Sequence, residues 1–186
     1  MAALTDPLPR VASSGVVLRR LRLSDLAAFQ AYRSDADLGR YQGWSAMSQA
    51  QARAFLEEMS TMPLFPPGAW IQLGIAAPHD EATLLGDMGL CLAADARDHV
   101  EIGFTLSRPA QGRGLATVAL RAAAQLVFES TAAERIVAIT DVRNLASIGV
   151  LSRAGMRRVE ERHTLFRDEP CVEYVYTLLR GEQDAA

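Results

Sequence analysis

The chain has 186 residues, 49% of them hydrophobic, which is enough to bury one sizeable core and predicts a single domain. A net charge of −3 and a pI near 5.6 speak against a general nucleic-acid binder and against a protein held on a membrane surface. No apolar run approaches the ~20 residues of a membrane span, and the stretch 1–10 has two prolines and lacks the apolar segment of a secretory signal. Cys91 and Cys171 each lie in an apolar run without a neighbouring cysteine, which reads as two buried free thiols in a reducing cytoplasm. His79, His99 and His163 have no ligand spacing, so no metal site is expected.

Taken in order, residues 1–15 read as a disordered or extended segment, 16–180 as the domain, and 181–186 as a polar tail expected to be disordered. Val16–Leu21 predicts a strand. Ser24 is the expected cap of a helix with Asp25 in its first turn and Leu26, Phe29 and Tyr32 on one side. Residues 35–47 read as irregular. Ser48 and Gln51 form a capping box for a helix whose Ala52, Phe55, Leu56 and Met59 share a face. Residues 62–68, with three prolines, form a loop.

The period then changes from helical to alternating. Trp70–Ala76 alternates Ile71, Leu73 and Ile75 against Gln72 and Gly74, and 84–92 is a further strand with Gly86 and Gly89 as bulge positions. A turn leads to a third strand, 100–106, completing an antiparallel meander. Next come a helix over 115–129, a strand over 135–140, and a helix from about Asn144 to Ala154 ended by Gly155 in a left-handed cap. A hairpin of 156–163 and 170–179 closes the domain. The fold class is α/β (α+β), a mixed, mostly antiparallel sheet of six to seven strands flanked by helices.

The most informative stretch is 108–117, Arg-Pro-Ala-Gln-Gly-Arg-Gly-Leu-Ala-Thr, between a strand and a helix. Gly112 and Gly114 let backbone approach an anion, the first-turn N–H groups point at it, and Arg108 and Arg113 add charge. A dinucleotide fingerprint needs a glycine where Thr117 stands, and a triphosphate loop needs a lysine that is missing. A nucleotide-binding oxidoreductase would also need an acidic ribose ligand; Asp141 is near such a position, but the order of elements disfavours that reading.

Gln111-Gly112-Arg113-Gly114-Leu115-Ala116 resembles the pyrophosphate loop of the GNAT superfamily, the acetyl-CoA-dependent N-acyltransferases. Two further stretches carry the resemblance: Glu101-Ile102-Gly103-Phe104-Thr105-Leu106 before the loop, and Asn144-Leu145-Ala146-Ser147 with Leu151 and Ala154-Gly155-Met156 after it. The chain is similar above all to the ribosomal-protein N-terminal acetyltransferase branch, and its opening Leu18-Arg19-Arg20-Leu21 with Ser24-Asp25 fits that branch too. One departure is Val118 after Thr117, where members of this branch often carry glutamate.

The resemblance implies a splayed GNAT-like sheet and direct acetyl transfer from acetyl-CoA to a primary amine, with no metal. The implied cofactor-binding residues are Phe104, Thr105 and Leu106 through their backbone, Gln111, Gly112, Arg113, Gly114, Leu115, Ala116 and Thr117 around the diphosphate, and Asn144 and Ser147 along the pantetheine arm. Glu101 is the candidate general base, or else a solvated strand carboxylate. Ser147 is the candidate acid toward the leaving thiolate. Alternatively, Asn144 caps the helix by bonding the Ser147 amide. Tyr41 and Trp44 either wall an acceptor pocket or pin a loop to the core. The expected partner is a small-molecule amine or a protein N-terminus, with no nucleic acid or membrane, in a cytoplasmic monomer or homodimer. The competing reading is a non-catalytic acyl-CoA sensor on the same fold.

Overall fold

The computed structural model describes residues 11–13 and 15–182; the expectations for 1–10, Ser14 and 183–186 lie outside these. One sheet runs in the order β1 (Val11–Ser13), β2 (Val16–Arg20), β3 (Trp70–Ala77), β4 (Asp80–Leu92), β5 (His99–Leu106), β6 (Arg135–Asp141), β8 (Glu169–Leu179) and β7 (Arg157–Phe166). Among the described residues it has eight strands, the expected seven plus the three-residue β1. Every neighbouring pair is antiparallel except β5 with β6.

That parallel pair is short. His99, Val100 and Glu101 pair with Arg135, Ile136 and Val137, and the pairing stops there. Beyond this point β5 stays zipped to β4 as far as Leu106, and β6 stays zipped to β8 as far as Asp141. The two strands thus part like a fork, with Glu101 at its crotch.

Cross-strand partners share a face, so register divides the sheet. Ile71, Leu73, Met88, Leu90, Val100, Ile102 and Ile136 lie on one face and are almost fully buried. The other face carries three rows: Trp70–Cys91–Glu101, Gln72–Gly89–Gly103 and Gly74–Asp87–Thr105. Helix α4 (Leu115–Ser130), rich in small and leucine side chains, buries most of its length against β1, β2 and β5, leaving Arg121, Gln125 and Glu129 in water as the periodicity predicts. Helix α5 (Leu145–Arg153) joins it, tied by Arg121 donating to the Arg153 carbonyl at 2.7 Å. Met156 N–H reaches back to the Leu151 carbonyl over the left-handed Gly155, the expected cap.

Helices α1 (Leu26–Arg33), α2 (Ala36–Gly39) and α3 (Gln49–Thr61) fill the segment between β2 and β3. The Ser48–Gln51 capping box is present. Three expectations need correction. Ser24 caps nothing: residues 23–25 form a 3₁₀ turn, and the Asp25 carboxylate is held by Arg19 at 2.7 and 2.8 Å and by the Arg22 N–H. Residues 35–47 are not wholly irregular, because Asp35 accepts from Asp37 and Leu38 and starts α2. The β3–β4 register shifts at Leu85, between the Ile75–Gly86 and Ala76–Leu84 pairs, and again between Ala76–Leu84 and Ala77–Asp80, and not at Gly89. Gly86 itself is required by closeness, since a Cβ there would lie 2.1 Å from the Thr105 carbonyl.

Candidate active site

After β5 the chain makes a 3₁₀ turn, 108–110, then passes Gly112 at φ 72° and Gly114 at φ 75° into α4. Both values suit glycine, and a Cβ at either would touch nothing within 4 Å. The glycines are there for backbone shape, and the space beside them is open. The N–H groups of residues 112 to 116 donate to no acceptor among the described residues; the helix's own bonding begins with Thr117 and Val118 on the Gly114 carbonyl. The Thr117 hydroxyl is buried and also has no partner. A run of free donors at a helix N-terminus, with one orphaned hydroxyl behind it, fits a diphosphate.

The charges divide differently from the sequence reading. Arg113 is exposed and makes no ion pair among the described residues. Arg108 is engaged: it binds Asp35 at 2.8 Å and Asp37 at 3.4 Å, and holds the Asp35 carboxyl below its ordinary pKa. Gln111 is exposed but folds its amide back onto the end of β5, Nε2 donating to the Leu106 carbonyl at 3.0 Å.

The open edge of β5 has a definite polarity. Ser107 donates to the Leu85 carbonyl and Ala93 to that of His99, so odd-numbered residues bond toward β4. Ile102, Phe104 and Leu106 therefore present their N–H and C=O groups to the fork. Two of these carbonyls are capped by glutamines, Phe104 by Gln42 Nε2 at 3.3 Å and Leu106 by Gln111. The N–H groups of Phe104 and Leu106 are left to receive a ligand. Thr105 is a correction to the expected trio. Its backbone faces β4, and its hydroxyl meets the Trp44 indole N–H at 3.4 Å.

Glu101 is half-buried, opposite Cys91 and beside Val137, and its carboxylate accepts no hydrogen bond among the described residues. Burial raises its pKa above the ordinary 4.5, with His99 and Arg162 pulling it down and Glu173 pushing it up. Cys91 is half-buried rather than buried, and burial together with Glu101 raises its thiol pKa. Cys171 is buried as expected.

Asn144 is the N-cap of α5, its Oδ1 accepting from the Ser147 N–H at 3.2 Å. The capping role is thus real, and it leaves the Asn144 amide nitrogen and the Ser147 hydroxyl without a bond to other described groups. Asp141, the residue weighed as a ribose ligand, is held by Arg143 at 2.6 and 2.8 Å, which lowers its pKa.

Tyr41 and Trp44 are placed by a network that the sequence reading missed. Asp87, buried on β4, receives Arg33 through bonds of 2.9–3.2 Å and the Tyr32 hydroxyl at 2.5 Å. The Arg33 guanidinium lies between Phe29, at 5.0 Å, and Trp44, at 4.6 Å. Arg167, in the β7–β8 turn, donates to the carbonyls of Gly39, Gln42 and Trp44 at 2.9–3.4 Å. Tyr41 stacks on Arg143, which also borders a cavity of about 510 Å³ with His163, Leu165, Pro170 and Cys171. The loop 39–44 is thus held over the fork from three sides. The signal in the sequence was Asp87 itself, a carboxylate inside the otherwise apolar run 84–92.

Among the described residues no cluster of His, Cys, Asp and Glu suits a metal ion, and no helix is long and apolar enough to cross a membrane.

Comparison with known proteins agrees with this geometry. The acetyltransferase (GNAT) domain family model matches residues 16–157. A GNAT-family acetyltransferase from Bacillus anthracis superimposes with TM-score 0.79 at 21% identity, over 91% of this chain and 98% of its own. A spermidine N-acetyltransferase from Vibrio cholerae, solved with CoA and spermine, gives 0.75 at 14%, over 92% and 99%. A proposed ribosomal-protein-serine acetyltransferase from Vibrio cholerae gives 0.72 at 19%, over 93% and 98%. At these identities the structural likeness is one of fold; the family model covers about three quarters of the sequence. The forked sheet, the donor-rich loop and the matched sequence lead to one conclusion, that this chain belongs to the GNAT acetyltransferase domain family.

Proposed function

We propose that this protein is an acetyl-CoA-dependent N-acetyltransferase that passes the acetyl group directly to a primary amine. The observation that carries the reading is the continuous line of unpaired donors, from the amides of 112–116 to the Phe104 and Leu106 N–H groups, ending at Glu101 in the fork. Acetyl-CoA supplies an acyl group already activated as a thioester. The residues of 112–117 would hold its diphosphate, and Asn144 and the β5 edge its pantetheine arm.

The chain's own part is position and proton traffic. Glu101 takes a proton from the acceptor ammonium, which frees the nitrogen lone pair. Its raised pKa makes it a stronger base than a free glutamate. The Phe104 or Leu106 N–H donates to the carbonyl oxygen as negative charge develops there. The freed nitrogen attacks the thioester carbon, forming the C–N bond, and the C–S bond then breaks. Ser147 gives its hydroxyl proton to the departing sulfur and recovers one from the nitrogen, which still carries a proton too many, while Glu101 releases its own to solvent. An amide and a thiol result.

The similar structures include one solved with spermine and one described as acting on a ribosomal protein. For this chain the acceptor is a primary amine, on a small molecule or at a protein N-terminus.

The test is a thermal shift with acetyl-CoA, CoA, NAD and ATP, followed by thiol release against an amine panel. Acetyl-CoA at 100 times its Kd should stabilise by about 2.7 kcal/mol. Stabilisation by NAD or ATP but not by CoA compounds would sink the reading. Binding without thiol release from any amine would favour a sensor over an enzyme.

A further inference from the structure

The mechanism above uses N–H groups on the open edge of β5 and leaves the carbonyls of that edge aside. Two of those carbonyls are already taken, by residues from different parts of the chain. Gln111, just before α4, covers the Leu106 carbonyl at 3.0 Å, and Gln42, in the loop after α2, covers that of Phe104 at 3.3 Å. In both cases the donor is a side-chain amide, chemically equivalent to the N–H of an amide in a ligand. The edge thus keeps its donors open and fills two of its acceptors with the protein's own groups.

Gln42 is fixed by its backbone as well. Its N–H donates to the Gly39 carbonyl at 3.1 Å, and its carbonyl accepts from Arg167 at 3.2 Å. On either side of it, Trp44 donates to the Thr105 hydroxyl at 3.4 Å, and the Arg143 guanidinium lies 5.7 Å from the centre of the Tyr41 ring. Thr105 is on β5, and Arg143 follows the end of β6 by two residues. Residues 41–44 therefore form a strap from one prong of the fork to the other. Among the described residues, the strap is hydrogen-bonded to β5 only through Gln42 and Trp44, and Gln42 alone uses a group that faces into the fork. Gln42 and Phe104 are both partly exposed. An extended chain lying on a strand edge pairs through alternating donors and acceptors. The pantetheine arm has two amides, each with one N–H and one C=O. Their carbonyls have the Phe104 and Leu106 N–H groups open to them, whereas their N–H groups meet carbonyls that glutamines already occupy.

We infer that Gln42 is a displaceable latch, which fastens the strap 41–44 to the fork and yields the Phe104 carbonyl to an amide N–H of the arm. One amide N–H replaces another on the same oxygen, so the exchange is close to neutral there, and what changes is the freedom of the strap. Occupation of the fork is thereby felt by Tyr41 and Trp44, the residues proposed to border the acceptor. The inference rests on the acetyltransferase reading and adds a coupling between the two ends of the site. By linkage the coupling runs both ways: the arm loosens the strap, and a fastened strap weakens the hold on the arm.

Gln42→Leu removes the latch at similar size and keeps the backbone bonds of the loop. Calorimetric titration with CoA should show binding about two- to tenfold tighter than in wild type, because one protein hydrogen bond no longer has to be broken. The strap is read separately by Trp44 fluorescence in a Trp70→Phe background, where Trp44 is the single tryptophan. CoA should shift that emission when Gln42 is present and shift it much less in Gln42→Leu. Gln111→Leu is the control for a cap outside the strap: it frees the Leu106 carbonyl and should leave the Trp44 response intact. Unchanged or weaker CoA binding by Gln42→Leu would overturn the inference, since a bystander gives the first result and a direct ligand of the cofactor the second. A crystal structure of the wild-type CoA complex needs no variant and decides the matter if Gln42→Leu fails to fold. An arm N–H on the Phe104 carbonyl with Gln42 turned away supports the latch, and Gln42 Nε2 still on that carbonyl overturns it. Wild-type protein that binds no CoA compound would sink the acetyltransferase reading and the latch together, whereas binding with Gln42 unmoved would sink the latch alone.

Discussion

The two ends of the proposed site are built by different means. At the loop end, the chain offers backbone: amides freed by two left-handed glycines and a helix start, with hardly any side chain required. At the acceptor end, it offers side chains held by other side chains: Trp44 on Arg33, Arg33 on Asp87, and the loop 39–44 on Arg167. Backbone donors serve any diphosphate, whereas a side-chain network can be re-cut for each acceptor. This contrast explains how one fold accommodates neighbours with spermine or a ribosomal protein in their descriptions.

The largest effect should come from breaking the network at its buried base. Asp87→Ala leaves Arg33 buried without a counter-charge, and urea unfolding should show a loss of about 3–5 kcal/mol. A loss under about 1 kcal/mol would mean that the ion pair is incidental and the contrast overdrawn.

Next in size is the chemistry. Glu101→Gln should lower the rate of thiol release about 10²- to 10⁴-fold while leaving the acetyl-CoA thermal shift intact. Because burial raises its pKa, Glu101 keeps its proton to higher pH than a free glutamate, so the wild-type rate should climb along an acid limb lying above the ordinary 4.5. The stability effect has the opposite sense. A carboxyl whose folded pKa is the higher one binds more protons in the folded state. Stability is then full below the unfolded pKa and declines as pH rises through the folded value. Urea midpoints of wild type and Glu101→Gln measured at pH 4 and pH 7 should therefore diverge in favour of the variant at pH 7.

The same contrast governs what was legible in the sequence. Glycine loops, caps and apolar periods are local, so the strand–loop–helix of 100–130, the Ser48–Gln51 box and the Gly155 cap could all be read from neighbouring residues. Glu101 was singled out as a candidate by strand position and resemblance, and Trp44 by residue type and its place in a loop; the structure sets the first at the fork and the second against Thr105. Asp87 stands out in the sequence as a carboxylate in an apolar run, but its partners Tyr32 and Arg33, more than fifty residues earlier in the chain, do not. Ser24 misled because the Asp25 carboxylate is captured by Arg19, a tertiary contact that a local capping rule does not see. The mixed sheet was legible in kind, but the fork, which rests on three paired residues of β5 and β6, was implied by resemblance and not by any local pattern.

A smaller effect separates shape from strength at the loop. Gly114→Ala forces a side chain into φ 75° at a cost of about 1–2 kcal/mol, which lowers the melting temperature by a few degrees in a chain of this size. The acetyl-CoA thermal shift should shrink much more than that strain alone explains, because the new Cβ occupies the open side of the loop. If affinity survives while stability falls, the loop serves the fold and not a ligand.

The smallest predicted effect sharpens the boundary between the two ends, where Asn144 stands as both helix cap and candidate ligand. Asn144→Ala should cost about 1 kcal/mol through loss of the bond to the Ser147 amide. Asn144→Ser restores a cap oxygen but not the amide nitrogen that points to no other described group. If the serine variant recovers the melting temperature and still binds acetyl-CoA severalfold more weakly than wild type, the amide nitrogen contributes to the cofactor arm. Full recovery of both properties would assign Asn144 to the helix alone. The loop end would then be a site made almost entirely of backbone, and the contrast with the acceptor end would be sharper still.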